Sequence, residues 1–172
     1  MDDRRHGRGM ITYRDGAWYD GEWTHDKRNG AGTFTWRDGT FYRGDFKDDM
    51  MHGRGTFTWA SGSSYEGNWA LNKKEGRGKM TCKTDSSYYD GEWKGDKRHG
   101  AGLMTWNTPD GQATYEGEFR NDLKHGMGKY TWPDGTVYDG SWLNGSRHGH
   151  AVVTYGNGSK YEGEWKDGVK AG

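Results

Sequence analysis

Four pairs of carboxylates stand one residue apart along the chain: Asp20 with Glu22, Asp90 with Glu92, Glu116 with Glu118 and Glu162 with Glu164. Two carboxylates in unlike surroundings are what glycoside hydrolysis needs, one with a raised pKa as the acid. These pairs recur along the chain, which suits a water-facing strand surface, with nearby cations or threonines offsetting the repulsion of stacked acids. No residue is therefore assigned a catalytic role, the chain reads as a non-enzyme, and no cofactor is expected. His148 and His150 are a second candidate, since two imidazoles on one strand face form half of a tetrahedral zinc site. Cys82 or another chain would have to complete it. His6, His52, His99 and His125, like His148, precede a glycine, and a shared position suits a turn role. The cations Arg4, Arg5, Lys27, Arg28, Lys73, Lys74, Lys97, Arg98, Lys124 and Arg147 all fall in one recurring loop. Stacked loops would make a basic edge, and Lys97, Arg98, Lys124 and Arg147 would then meet an anionic lipid head group. Each such charge contributes about 1 kcal/mol near an anionic surface.

What positions these residues is a repeat. Glycines follow a six-residue gap at 7, 30, 53, 76, 100, 126, 149 and 172, in steps of 23, 23, 23, 24, 26, 23 and 23. An aromatic lies seven residues before each but the first, from Trp23 and Phe46 to Trp142 and Trp165. Seven units follow, at about residues 7–29, 30–52, 53–75, 76–99, 100–125, 126–148 and 149–171, in one continuous array over 1–172. The extra residues fall near 85–87 and 108–112, at the other turn, where an insertion does not flip strand faces.

Within a unit the period is two, the mark of a strand. Tyr19, Gly21 and Trp23 share a face, with Asp20 and Glu22 opposite. After the loop, Gly32, Phe34 and Trp36 alternate with Thr33 and Thr35. Asp38-Gly39, Asp134-Gly135 and Asn157-Gly158 are hairpin signals, because these residues accept positive φ. The in-strand glycines, Gly21 and its six counterparts, each lie between two same-face aromatics, so a ring from a neighbouring strand is expected across the bare backbone. The expected fold is all-β: an elongated, twisted, single-layer antiparallel sheet of stacked β-hairpins without a helix of note. Fourteen strands at about 4.8 Å spacing would extend roughly 65 Å, and each unit would touch only its neighbours.

Composition agrees with such a sheet. The 26 aromatics far outnumber the nine Ile, Leu and Val, so the buried surface must be aromatic, and 31 glycines exclude a helical protein. Lys+Arg and Asp+Glu balance at 25 each, so net charge gives no reason to expect nucleic acid as a partner. A single cysteine excludes an internal disulfide framework and suggests a reducing compartment.

The pattern Tyr-x-Gly-x-Trp/Phe, a loop ending His-Gly-x-Gly, a second strand and Asp-Gly resembles the MORN-repeat family over essentially the whole chain. It is fullest at Tyr89-Asp90-Gly91-Glu92-Trp93 with His99-Gly100-Ala101-Gly102, and from Tyr115 to Gly128. Asn29, Glu75 and Ala171 depart from the loop histidine, and His150 displaces the second glycine. The resemblance implies a rod of hairpins acting as a scaffold, most like the repeat-only cytoskeletal members of parasite rings and collars or ciliary radial spokes. It also implies a cytoplasmic place, at the cytoskeleton or the inner face of a membrane-associated structure. Phosphoinositide binding and a regulatory module cut from a larger enzyme are the alternatives.

An uncovered aromatic face rimmed by charge suits a protein interface. Its stack is Tyr19, Trp23, Tyr42, Phe46, Tyr65, Trp69, Tyr89, Trp93, Tyr115 and Phe119. The array begins on a second strand, residues 9–13, and stops after a first strand, residues 161–165. That suggests a fragment of a longer array, with Met1 added for expression, and leaves unpaired edges at both ends. An antiparallel homodimer through the last strand, involving Tyr138, Trp142, Tyr155, Tyr161 and Trp165, is expected, along with cytoskeletal partners.

Overall fold

In the computed structural model, which describes residues 3–172, every regular element is a β-strand. The reading of Met1 as an addition lies outside the described residues. Contacts divide the chain into two compact units, residues 1–84 and 85–172.

The first unit holds β1 (Gly7–Thr12), β2 (Trp18–Thr24), β3 (Lys27–Thr35), β4 (Phe41–Lys47), β5 (Met50–Thr58), β6 (Ser64–Ala70) and β7 (Lys73–Thr81), each antiparallel to the next. The second holds β8 (Tyr88–Lys94), β9 (Lys97–Thr108), β10 (Gly111–Arg120), β11 (Leu123–Thr131), β12 (Val137–Leu143), β13 (Ser146–Thr154), β14 (Lys160–Lys166) and β15 (Val169–Lys170), paired in the same way. Both are single layers of successive hairpins, the all-β class expected. The described residues form fifteen strands rather than fourteen, because Val169–Lys170 pairs with the end of β14.

Alternation sets the faces: on β2, Tyr19, Gly21 and Trp23 are buried while Asp20 and Glu22 are exposed. Tyr19, Tyr42, Tyr65, Tyr115 and Tyr138 are fully buried. Burying a phenol requires a partner for its hydroxyl. Each donates to the carbonyl three residues on, at Glu22, Asp45, Asn68, Glu118 and Ser141, over 2.6–2.9 Å.

The glycines explain how the ring gets there. Gly21 faces Gly32 across the ladder, and the Tyr19 ring lies over Gly32, where an added Cβ would stand 2.5 Å from ring carbon Cε2. The expected cross-strand ring therefore covers the second-strand glycine. At Gly21 the ring is that of its own strand's Tyr19, and an added Cβ would also meet the Gly32 Cα at 2.5 Å.

Two further differences concern turns. The stretch read as a six-residue loop is a two-residue turn with both φ positive: His25 (49°) and Asp26 (67°), Asp48 (48°) and Asp49 (70°), Leu71 (51°) and Asn72 (65°). This is the backbone sign of the turns that match strand twist. Residues 27–28, 73–74, 97–98, 124 and 147 are consequently strand residues. The insertion near 108–112 does not enlarge a turn either; it lengthens β9 and β10 to 12 and 10 residues.

Candidate interaction surface

The second acid of two of the pairs, Glu22 and Glu92, has a structural task. Opposite Gly21–Trp23 the register slips, so that Gly32 and Arg28 face residues only two apart. The extra residues bulge at Gly30, which has φ 86°, and Glu22 Oε2 accepts the Ala31 N–H there at 2.9 Å. Glu92 does the same for Ala101 at 2.6 Å and Asp45 for Arg54 at 3.2 Å. Asn68 and Ser141 occupy the place in other repeats, next to Gly76 and Gly149. An amide or hydroxyl filling the position suits bulge support rather than acid–base chemistry.

The cations do not form the expected basic edge. Arg28 Cζ stands 4.8 Å from the Phe34 ring centre, Arg98 Cζ 5.5 Å from Phe119, and Arg147 Cζ 4.4 Å from Trp165. Lys124 Nζ lies 5.2–5.6 Å from Trp106, Tyr115, Tyr130 and Trp142. All four side chains are half-buried on the aromatic face, whereas Lys97 is exposed on the other side of β9. Burial pushes the Lys124 ammonium below its ordinary pKa, with the Arg98 charge adding to the effect. Burial likewise pushes the Tyr19 phenol up to about 12, and Tyr42 and Tyr115 higher still.

Sequence reading missed the link between successive repeats. Asp49 Oδ1 accepts from Arg28 N–H at 2.8 Å and from Arg28 Nε at 3.2 Å. Asp122 does so for Arg98 at 2.9 and 3.1 Å, and Asp26 for Arg5 at 2.8 and 2.9 Å. Those bonds hold the Asp26 carboxyl below the usual range. The signal was an Asp or Asn three residues after Trp23, Phe46, Trp69, Trp93 and Phe119, but nothing in the spacing pointed to its partner in the previous repeat.

The aromatics form two tiers. The expected stack is the buried tier: Tyr42 meets Phe46 and Trp69 edge-on at 5.1 and 5.5 Å, and Tyr115 meets Phe119 and Trp142 at 5.0 and 5.4 Å. Trp23, Phe46, Trp69, Tyr89 and Trp93 are buried as well. A second tier, from the second strands, stays half-exposed. In the first unit Phe34, Trp36, Phe57 and Trp59 follow at 4.6, 5.3 and 4.7 Å. In the second unit Trp106, Tyr130 and Trp132 follow at 5.8 and 4.6 Å. Here too a cleft of about 300 Å³ opens beside Trp132, Arg147, Tyr155 and Trp165.

Of the residues expected at a dimer interface, Tyr138, Trp142 and Trp165 are buried within the chain, while Tyr155 and Tyr161 are half-exposed. The outer edge of β14 is not free along its length. Trp165 and Lys166 pair with β15, Ala171 N–H donates to Glu164 O at 2.8 Å, and Tyr161 Oη donates to Gly172 O at 2.8 Å. His150 and His148 do not converge. His150 lies between Glu162 (3.2 Å) and Glu164 (3.4 Å), and His148 Nδ1 is 3.9 Å from Asp167. Among the described residues no three His, Cys, Asp or Glu are grouped to hold a metal.

A family model described as "MORN repeat" matches residues 1–18, 19–41, 42–64, 65–87, 89–108, 115–137, 138–160 and 161–172. Its unit opens on the buried tyrosine rather than on the turn glycine. Among curated proteins there is no match to the chain.

Proposed function

Because this chain belongs to the MORN-repeat family, whose repeats are non-catalytic modules of protein and membrane interaction, we propose that it is a non-enzymatic scaffold docking a protein partner on its aromatic face. The observation that carries this reading is the half-exposed second tier, Phe34, Trp36, Phe57 and Trp59. It is held rigid by ring packing, yet no second layer covers it among the described residues. The likeness to repeat-only scaffolds supports a cytoplasmic site at a cytoskeletal or membrane-associated structure, and a homodimer joined end to end. A membrane-reading role draws less support, because Arg28 and Arg98 are engaged by Asp49 and Asp122.

A photo-crosslinking residue placed at Trp36 or Trp59, and in parallel at Thr33 or Thr56 on the opposite face, tests the docking surface in cells. Discrete protein adducts from the aromatic-face positions alone are expected. Equal labelling from both faces would sink the proposal. Light scattering of the purified chain should give the mass of two copies, and one copy's mass at high concentration would remove the homodimer.

A further inference from the structure

The turn one repeat on decides whether each of these cations is neutralised. Arg5, Arg28 and Arg98 meet Asp26, Asp49 and Asp122 at 2.9–3.2 Å. At the next two positions in the second unit the turn residue is Gly145 or Gly168. There the backbone half of the link survives, Gly145 N–H to Lys124 O at 2.8 Å and Gly168 N–H to Arg147 O at 2.9 Å. The carboxylate is gone. Arg147 donates Nη2 to Gly168 O at 2.9 Å, which leaves Nε and Nη1 free. Neither Arg147 nor Lys124 has an ion-pair partner among the described residues.

Arg147 also lines the 300 Å³ cleft, between the Trp165 ring at 4.4 Å and the Trp132 ring at 5.9 Å. Asp134 lines it too, but its Oδ1 accepts the Thr136 N–H at 2.8 Å and it forms no ion pair with Arg147. The Trp165 indole, whose residue borders the cleft, lacks the acceptor that its counterparts have. Trp23, Trp69 and Trp142 donate their indole N–H to Gly9, Gly55 and Gly128 carbonyls at 2.9–3.1 Å. Trp165 is only 6% exposed, and its Nε1 has no partner, Ala151 standing where those glycines stand.

We infer that this cleft, together with Lys124, receives an acidic segment of a partner protein, one carboxylate on Arg147, a second on Lys124, and apolar side chains on Trp132 and Tyr155. The inference rests on the reading of the aromatic face as a docking surface and names the partner's chemistry. A guanidinium between rings favours carboxylates flanked by apolar residues, since burial beside π-faces strengthens a charge-assisted pair. Lys124 on β11 and Arg147 on β13 are two strands apart, roughly 10 Å. A polyproline II segment rises about 9 Å over three residues and returns them to one face, so two acids three positions apart fit.

The repeat itself supplies the decisive variant. Gly168 has φ 87° with open space around a Cβ, and Asp49 and Asp122 adopt φ 70° at the same turn position. Gly168→Asp therefore folds and gives Arg147 the internal carboxylate it lacks. A display library of random dodecapeptides is panned on the wild-type chain and on Gly168→Asp, and the recovered wild-type binder is titrated by fluorescence anisotropy. Enrichment of acid pairs three apart on wild type alone is expected, with that binder weakened about tenfold by Gly168→Asp and by Arg147→Gln. Equal acid content from both selections overturns the inference, as does no enrichment, or a Gly168→Asp affinity equal to wild type. Apolar binders without acids would overturn it while leaving the docking surface intact. So would chain dimers, or binding to phosphatidylserine vesicles, abolished by Arg147→Gln in place of peptide binding. Crosslinking at Trp36 and Trp59 lies in the other unit and judges the docking surface separately.

Discussion

Asp49 holds Arg28 at four points: its carboxylate accepts from the Arg28 backbone N–H at 2.8 Å and Nε at 3.2 Å, its carbonyl accepts from Arg28 Nη2 at 3.0 Å, and its own N–H donates to the Arg28 carbonyl at 3.0 Å. The strain of a non-glycine residue at φ 70° is offset by this grip on the preceding repeat. Asn72 makes the same backbone link to Met51 at 2.8 Å without a charge. Asp49→Asn should therefore cost little, whereas Asp49→Ala leaves an amide without its acceptor and should lose about 1–3 kcal/mol. Urea unfolding of the two variants makes the comparison.

Gly44 and Gly55 face each other so closely that a Cβ on Gly44 would stand 2.5 Å from the Arg54 carbonyl oxygen. Backbone cannot step aside as a side chain can. Gly44→Ala should cost about 1–3 kcal/mol. Ala151 already sits at one second-strand glycine position, opposite Gly140. Ala151→Gly should cost no more than about 1 kcal/mol, the strand entropy that a glycine adds. Thermal unfolding that ranks these two the other way would refute the close-approach account.

High pH should unfold the protein through its tyrosines. The Tyr19 phenol is held up to about 12 by burial, and Tyr42 and Tyr115 are raised further. Above about 10 the unfolded chain releases these protons while the folded chain keeps them, so stability falls as pH rises from 10 towards 12 and is unaffected below. Lys124 has the opposite sign. Its lowered folded pKa makes stability rise as pH approaches the ordinary lysine value, a single group against several phenols. Tyrosinate absorbance from these buried phenols should accordingly appear together with loss of the β signal in circular dichroism, rather than before it.

The hairpin fold was legible because alternation and the glycine spacing encode it locally. Tyr19, Gly21 and Trp23 announce a buried strand face wherever they stand. The turns were harder. Asp48 and Asp49 are an unremarkable pair in sequence, and only the structure shows both at positive φ with Asp49 reaching back 21 residues to Arg28. For the same reason Arg28, Arg98, Lys124 and Arg147 read as loop charges. A two-residue turn moves them into strands and turns them onto the rings, an outcome set by one residue of turn length. The unneutralised Arg147 could not be read at all without knowing that Gly168 occupies its partner's place.

Folding and docking make opposite demands on neighbouring tryptophans. Trp69 is buried, donates to Gly55 O at 3.1 Å and meets Tyr42 and Tyr65 edge-on at 5.5 and 5.0 Å. Trp59 is half-exposed and packs chiefly on Phe57 at 4.7 Å. Trp69→Ala should cost about 3–5 kcal/mol, and Trp59→Ala about 1–2 kcal/mol, since part of its surface is already in water. Partner capture should show the reverse order. With the photo-crosslinker at Trp36, Trp59→Ala should abolish adducts although the protein stays folded. A Trp69→Ala variant assayed well below its lowered unfolding temperature should keep them. Adducts retained in Trp59→Ala would mean that the half-exposed tier is only the outer layer of the core, and the partner would have to be sought on another surface.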